Sequence, residues 1–288
     1  MTVREAPFTV IAPGKLVVVG EYGVLDGAGA IVAAVNRGVR CVVTAGDAVE
    51  TPKGDDRFVR AALLGAPARR YTFTDDNPVD LPSKPGFGGS AAATVAACLA
   101  GGFEPERAYP VHAEVQRTAG GGGGSGVDVF ASIHGGVRQF PDGHVVPHGV
   151  FVAVWSGASA STGSRVAWYQ AWHARASFVH ASRELVFGFY ERPYDAMREA
   201  YARLREMASA AGIAYDTPAH ARIAELADAA GGAAKPSGAG GGDIAVAMFP
   251  DPERADAFAR ACAAEDLRVI PVRVTDGARV VDEAACTS

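Results

Sequence analysis

The stretch Lys84-Pro85-Gly86-Phe87-Gly88-Gly89 runs directly into residues 90–100, a near-continuous run of Ala, Val and Leu that stops at Gly101-Gly102. Such a run with a glycine stop predicts a helix buried on all sides. A glycine-rich loop entering a helix leaves the first N–H groups without intrahelical partners and aims the positive end of the helix dipole at one point. The chain must therefore build a core deep enough to enclose this helix. It must also leave a space at the helix N-terminus suited to an anion. Ser90 is placed either to cap the helix or to hold a metal ion. The stretch is not a Walker A loop, because its lysine precedes the glycines, and it lacks the acidic partner of a dinucleotide fingerprint.

Two further glycine-rich segments flank it. Pro13-Gly14-Lys15 is followed by the apolar run 16–19 and then Gly20-Glu21. Taken alone it reads equally as a strand turn with a surface lysine. Lys235-Pro236-Ser237-Gly238-Ala239-Gly240-Gly241-Gly242-Asp243 leads straight into the apolar strand 244–249, where a plain connector is the alternative reading. The chain has 23 arginines but only four lysines, Lys15, Lys53, Lys84 and Lys235. Three of the four sit in or beside these segments. Lysine is a compact charge on a flexible stem, suited to phosphate oxygens; chance placement on the surface is the bland alternative.

A net charge of −5 and the absence of any Lys/Arg stripe argue against nucleic acid as a partner. No stretch is apolar enough to span a bilayer, and the first residues do not read as a signal peptide. Cys41, Cys98, Cys262 and Cys286 are scattered without metal-ligand or framework spacing, which suits a reducing cytoplasm. The chain is expected to be cytoplasmic, with a small molecule as partner, no nucleic acid and no membrane. Monomer and homodimer are both left open.

Strand-like segments dominate the first third: 7–12, 29–35, 39–45 and 71–74. Helices are expected over 90–100, 105–117 and 127–133, and a buried strand over 150–155. Five consecutive glycines at 120–124 mark a loop. Beyond residue 163 the chain turns helical. Residues 194–211 show helical periodicity, Thr217-Pro218 and Asp251-Pro252 read as N-cap and first-turn pairs, and strands are expected over 244–249 and 267–274. A strand-rich first half and a helix-rich second half predict an α+β fold in two lobes.

Together the three glycine-rich segments resemble, in order and along nearly the whole chain, the three motifs of the GHMP kinase family. The first looks like its PGK…GE segment, the second like its GLGSSAA phosphate loop, the third like its GAGGGD loop. Finer matches are similar to the branch of that family that acts on phosphomevalonate. They are Lys84 before the loop with Ala93-Thr94-Val95-Ala96 after it, His112 four residues before Gln116, Gly124-Ser125-Gly126-Val127-Asp128-Val129, Trp155 through Thr162, and Lys235-Pro236-Ser237. Gly89, Phe87 and Ile244 depart from the usual pattern, and the glycine run looks expanded.

The resemblance implies an N-terminal ribosomal-protein-S5-like lobe that binds ATP, residues 1–160, and a C-terminal ferredoxin-like lobe, residues 161–288. It implies ATP and Mg²⁺ as cofactors and phosphomevalonate as acceptor. Mevalonate or another metabolite, or a non-catalytic binding protein, are the alternatives. ATP would lie on Gly86, Phe87, Gly88, Gly89, Ser90 and Ala91, with Ser90 on the metal. Lys15, Lys84 and Asp128 would be catalytic. Ser125, Gly126, Ser161, Thr162, Arg165, Lys235, Ser237, Gly238, Ala239 and Gly240 would hold the acceptor. A phosphate monoester is already mostly dianionic at neutral pH, its second pKa being about 6. Asp128 is thus expected to orient Lys15 and the acceptor more than to remove a proton.

Overall fold

The structure is a computed structural model that describes residues 4–52, 54–78, 81, 83–119, 122–160 and 162–281, residue 162 by its backbone alone. In chain order the elements are β1 (Phe8–Val19), β2 (Ala30–Thr44), β3 (Ala48–Glu50), α1 (Arg57–Ala62), β4 (Arg70–Asp75), α2 (Gly89–Ala100), α3 (Ala108–Thr118), α4 (Val127–His134), β5 (Val137–Phe140) and β6 (Val150–Trp155). They continue with α5 (Thr162–Ala171), α6 (Ala176–Gly188), α7 (Pro193–Ala211), α8 (Pro218–Ala229), β7 (Ala233–Pro236), β8 (Ile244–Phe249), α9 (Pro252–Ala264), β9 (Arg268–Ile270) and β10 (Arg279–Val281).

β1 does not stop at the expected glycine–lysine turn. It passes through Pro13-Gly14-Lys15 and pairs antiparallel with β2, with a register shift between Ala12 and Gly14. Glycine is needed there because the two strands and a loop meet backbone to backbone. A Cβ on Gly14 would lie 1.9 Å from the Arg37 carbonyl oxygen and 2.7 Å from that of Phe87. β2 likewise runs unbroken where two strands were expected; a Cβ on Gly38 would lie 2.0 Å from the Ala12 oxygen. The first sheet has the order β10-β1-β2-β4-β3, with β5 also on β2.

Alternation along these strands sends side chains to opposite faces. Val10, Ala12, Val39, Cys41 and Val43 pack with Val95, Ala96 and Cys98 of α2. Leu16, Val18, Ile31, Ala33 and Val35 join a second core with Phe151 and Val246 of the other sheet and with Leu185 and Met197 of α6 and α7. α2 is enclosed as its composition requires.

The second sheet is antiparallel in the order β7-β8-β6-β9. With helices between β6 and β7 and between β8 and β9, this is a ferredoxin-like arrangement. Its outer face packs on α8 and α9 through Ile223 and Phe258. Thr217 and Asp251 cap these helices, their side chains accepting from the backbone N–H of His220 and Arg254. The fold is thus α+β with two lobes. The sheets do not divide the chain at residue 160: β6 lies in the second sheet, and β10 returns to the edge of the first. The expected strand 267–274 is shorter, Arg268–Ile270, because beyond it the chain crosses back to the first lobe, where Arg273 N–H bonds Asn36 Oδ1 at 2.7 Å. No helix among the described residues is long and apolar enough to cross a membrane.

Candidate active site

All three glycine-rich segments meet at one cleft of ≈ 440 Å³ between the lobes. The second segment forms its centre. Gly88, in the left-handed conformation at φ 76°, is the N-cap of α2 and offers no side chain to the helix end. Ser90 does not cap. Its hydroxyl lies 3.2 Å from Nε2 of His112, a residue of α3 that is only 5 % exposed. Burial pushes the His112 imidazole pKa below its ordinary value, and the negative charge of Asp128 partly opposes this. Phe58 packs beside the ring at 5.1 Å between centroids.

Lys15 reaches this point from β1. Its backbone N–H donates to Phe87 O at 2.8 Å and fastens the strand to the loop. Its Nζ donates to Gly86 O at 3.1 Å and lies 3.9 Å from Asp128 Oδ1. Asp128 stands in the first turn of α4, whose N-cap is Gly126. Gly88 separates the lysine stem from this carboxylate: a Cβ there would lie 3.1 Å from Lys15 Cγ and 3.4 Å from Asp128 Oδ2. Lys84 is exposed on the cleft wall. A cation, a carboxylate and a helix N-terminus thus converge, the components of an anion-binding and phosphoryl-transfer site.

The third segment behaves differently from expectation. Lys235 is fully buried in β7 and forms an ion pair with Glu21, while its Nζ also donates to Pro236 O at 2.8 Å. Desolvation pushes its pKa down and the Glu21 carboxylate opposes that. Lys235 does not line the cleft; Glu21 does. Ser237 Oγ accepts from Val17 N–H at 2.9 Å, and Tyr22 donates to Ala239 O at 2.7 Å, so the third segment is sewn to the end of the first.

Of the residues singled out from sequence, Lys15, Lys84, Asp128, Gly86, Phe87, Gly88, Gly89, Ser90, Ser125, Gly126, Ser237, Gly238 and Ala239 line the cleft. Ala91 is buried inside α2, its N–H bonded to Gly88 O. Arg165 sends Nε to Ala214 O at 3.2 Å, next to Gly241. Gly240 packs against the Tyr215 ring. None of these three, nor Lys235, is part of the cleft wall. Ser161 and the side chain of Thr162 lie outside the described residues, as do Lys53, Gly120, Gly121 and Cys286.

Sequence reasoning passed over Asp243. At φ 59° it ends the third segment, and its Oδ1 accepts from Ala160 N–H at 3.0 Å and Ser159 Oγ at 3.2 Å. Its backbone bonds Ser156 N–H and Ala158 O, and a Cβ on Gly86 would lie 2.8 Å from its Cβ. It therefore joins the third segment to the loop after β6 and to the phosphate-type loop. The signal was the acidic residue closing a glycine run.

Residues 183–267 match the family model described as GHMP kinases C terminal. No curated protein sequence matches the chain. Among solved structures the fold is similar to that of a Lin0012 protein from Listeria innocua, at 22% identity and TM-score 0.83 over 96% of this chain and 99% of that one. It is also similar to phosphomevalonate kinase of Streptococcus pneumoniae (17%, 0.76, 94% and 100%). A third likeness is to mevalonate kinase of Methanococcus jannaschii (14%, 0.73, 95% and 100%). The segment match is to the C-terminal part of the GHMP kinases, and the likeness to the solved structures is one of fold.

Proposed function

We propose that this chain, with the GHMP kinase fold and the C-terminal segment of that family, is an ATP-dependent small-molecule kinase whose acceptor is phosphomevalonate. The observation that carries the kinase reading is the position of Lys15. Its ammonium sits between Gly86 O and Asp128 Oδ1 at the open N-terminus of α2. In this reading the nucleotide phosphates lie on the loop 86–90 and the apolar wall of Phe58, Val59 and Phe73 takes the base. Lys15 and Lys84 stabilise charge on the transferring group, and Asp128 holds Lys15 and the attacking oxygen in line. The fused loops around Ser237 and Asp243 keep that geometry fixed.

The residues fit a divalent cation, since Ser90 and Asp128 present oxygen donors beside the phosphate-type loop. Such a cation would, when bound, offset the negative charge of nucleotide phosphates. The acceptor assignment is supported by the finer motif likenesses, and a solved Streptococcus pneumoniae phosphomevalonate kinase, in complex with phosphomevalonate and AMPPNP, shares the fold at TM-score 0.75. A cytoplasmic setting goes with this reading.

One observation favours a second acceptor class. Lys235 is committed to Glu21, and the described cleft wall carries two lysines, Lys15 and Lys84, against five carboxylates. An unphosphorylated alcohol such as mevalonate would suit that balance and would make Asp128 a true base. ADP release is the test, with ATP and phosphomevalonate, mevalonate, homoserine or galactose in turn. Turnover with phosphomevalonate alone is the expected result. Turnover with mevalonate alone replaces the acceptor, and nucleotide binding without turnover on any of the four removes the enzyme reading.

A further inference from the structure

Helix α5 has little apolar surface to hold it. Among its described residues Tyr169 alone is buried, and the others are half-buried or exposed. A helix with so narrow an apolar face is placed by the few bonds at its anchors. Two of these converge on one carboxylate outside the cleft. Tyr169 donates its hydroxyl to Asp26 Oδ2 at 2.7 Å. Arg175 Nε lies 3.2 Å from the same oxygen, while its Nη1 donates to Gln170 O at 3.0 Å and Trp172 O at 3.2 Å, where α5 ends. Asp26 thus holds the helix both by its buried side chain and by its C-terminal carbonyls, from 143 positions away in the chain. The tyrosine bond is the stronger of the two, being charge-assisted; Arg175 and Asp26 are each about one-third exposed and their attraction is screened.

The carboxylate joins two walls of the cleft. Asp26 ends the 3₁₀ turn Gly23–Asp26, from which Val24 and Leu25 line the cleft, and Val166, one helical turn before Tyr169, lines it from α5. The Tyr169 ring also rests on Tyr22, 5.2 Å between centroids, and the Tyr22 hydroxyl holds Ala239 O. With the base on Phe58 and Phe73 and the phosphates on the loop 86–90, this part of the cleft falls to the acceptor. We propose that Asp26 is a positioning residue that clamps α5 onto the 3₁₀ turn and so sets Val24, Leu25 and Val166 against the carbon skeleton of the acceptor. The inference rests on the kinase reading above. Three aliphatic side chains offer no hydrogen-bond partner, so the stretch of acceptor beside them is hydrocarbon, and a molecule with hydroxyls all round is disfavoured there.

The test uses the full chain with Asp26→Ala, Asp26→Asn and Tyr169→Phe. Steady-state kinetics with the acceptor that the wild type turns over, ADP calorimetry and amide hydrogen exchange are read together. Asp26→Ala is expected to raise the KM for the acceptor about tenfold or more and to leave ADP affinity within about twofold. Exchange over 162–171 should quicken by about tenfold or more, with α2 and α8 unchanged. Tyr169→Phe, which removes only the hydroxyl, shifts both readings the same way by a smaller factor. Asp26→Asn, which still accepts from Tyr169, recovers part of the loss.

Acceptor KM and α5 exchange that stay at wild-type values in both Asp26→Ala and Tyr169→Phe would overturn the proposal. So would quickened exchange spread evenly over the chain, which marks general destabilisation. A change in ADP affinity as large as the change in acceptor KM would overturn the assignment to the acceptor end. These outcomes leave the kinase reading in place. Wild-type protein that binds ADP and turns over no acceptor would overturn that reading and this one together.

Discussion

The ammonium of Lys235 is buried against the carboxylate of Glu21, two residues 214 positions apart in the chain. A lysine that the sequence offers as a phosphate clamp is instead an internal counter-ion. Glu21 Oε1 also accepts from Gly238 N–H at 3.4 Å, so the pair holds the third glycine segment onto the end of β1. The second oxygen, Oε2, is buried without a hydrogen-bond partner. Removing the lysine leaves a buried charge uncompensated. Lys235→Met is expected to destabilise the protein by about 3–5 kcal/mol in urea unfolding, and Glu21→Gln combined with Lys235→Met to recover a large part of that. Wild-type stability in Lys235→Met would show the pair to be inconsequential.

Lys84 is the contrasting case. It is exposed on the cleft wall, so Lys84→Met is expected to leave the unfolding midpoint unchanged and to lower kcat/KM for ATP by about 10²-fold. Steady-state kinetics beside thermal unfolding separate the two effects. A loss no larger than threefold, on the order of 0.6 kcal/mol, would remove Lys84 from the charge-stabilising set.

Asp128 is one-third exposed and faces Lys15 at 3.9 Å. Asp128→Asn keeps the shape and removes the charge. The fold should persist, and kcat should fall by about 10²–10³-fold with the KM for ATP little altered. The pH profile of kcat on the preferred acceptor then distinguishes orientation from base catalysis. An acidic limb that vanishes in the variant marks a base, and an unchanged limb marks a positioning carboxylate.

Neighbouring glycines in the loop should respond in opposite ways. Gly88 has φ 76° and its Cβ would press on Lys15, while a Cβ on Gly89 meets nothing within 4 Å. Gly88→Ala is expected to cost about 1–2 kcal/mol of stability and to weaken nucleotide binding. Gly89→Ala or Gly89→Ser should stay within about 0.5 kcal/mol of wild type. Calorimetric ADP titration and urea unfolding of both variants check this; equal damage from the two would mean that backbone strain at Gly88 is not what matters.

His220 is fully buried in α8, neither ring nitrogen has a hydrogen-bond partner, and burial pushes its pKa from 6.5 to about 4. Between those values the unfolded chain binds the proton and the folded chain does not. Stability is therefore complete above pH 6.5 and falls as pH drops toward 4, by about 3 kcal/mol from this residue. His220→Leu should flatten that acid limb without loss at neutral pH. Urea unfolding at pH 7.5 and 5 measures it, and parallel acid limbs in the two proteins would assign the loss to other groups.

Much of the fold was legible because its signals are local. The run 244–249 gave β8, the alanine-rich run after Gly89 gave α2, and Thr217-Pro218 and Asp251-Pro252 gave helix starts, each with its cap hydrogen bond in place. Periodicity and capping act over a few residues, so a sequence states them outright. That Lys15, Ser90 and Asp128 line one cleft was expected only through the resemblance to a known family, since no local signal in the sequence joins them. What remained hidden depends on which distant segment arrives at a given side chain. Nothing near Lys235 in the chain announces Glu21, and nothing near Ser90 announces His112 from α3. The continuity of β1 through its glycine, and the return of β10 to its edge, were settled by pairing partners 12 to 272 residues away. Sequence by itself determined the elements and the chemical kinds present. The tertiary structure decided which charges face the cleft and which neutralise one another inside, because burial and proximity belong to the packed chain as a whole.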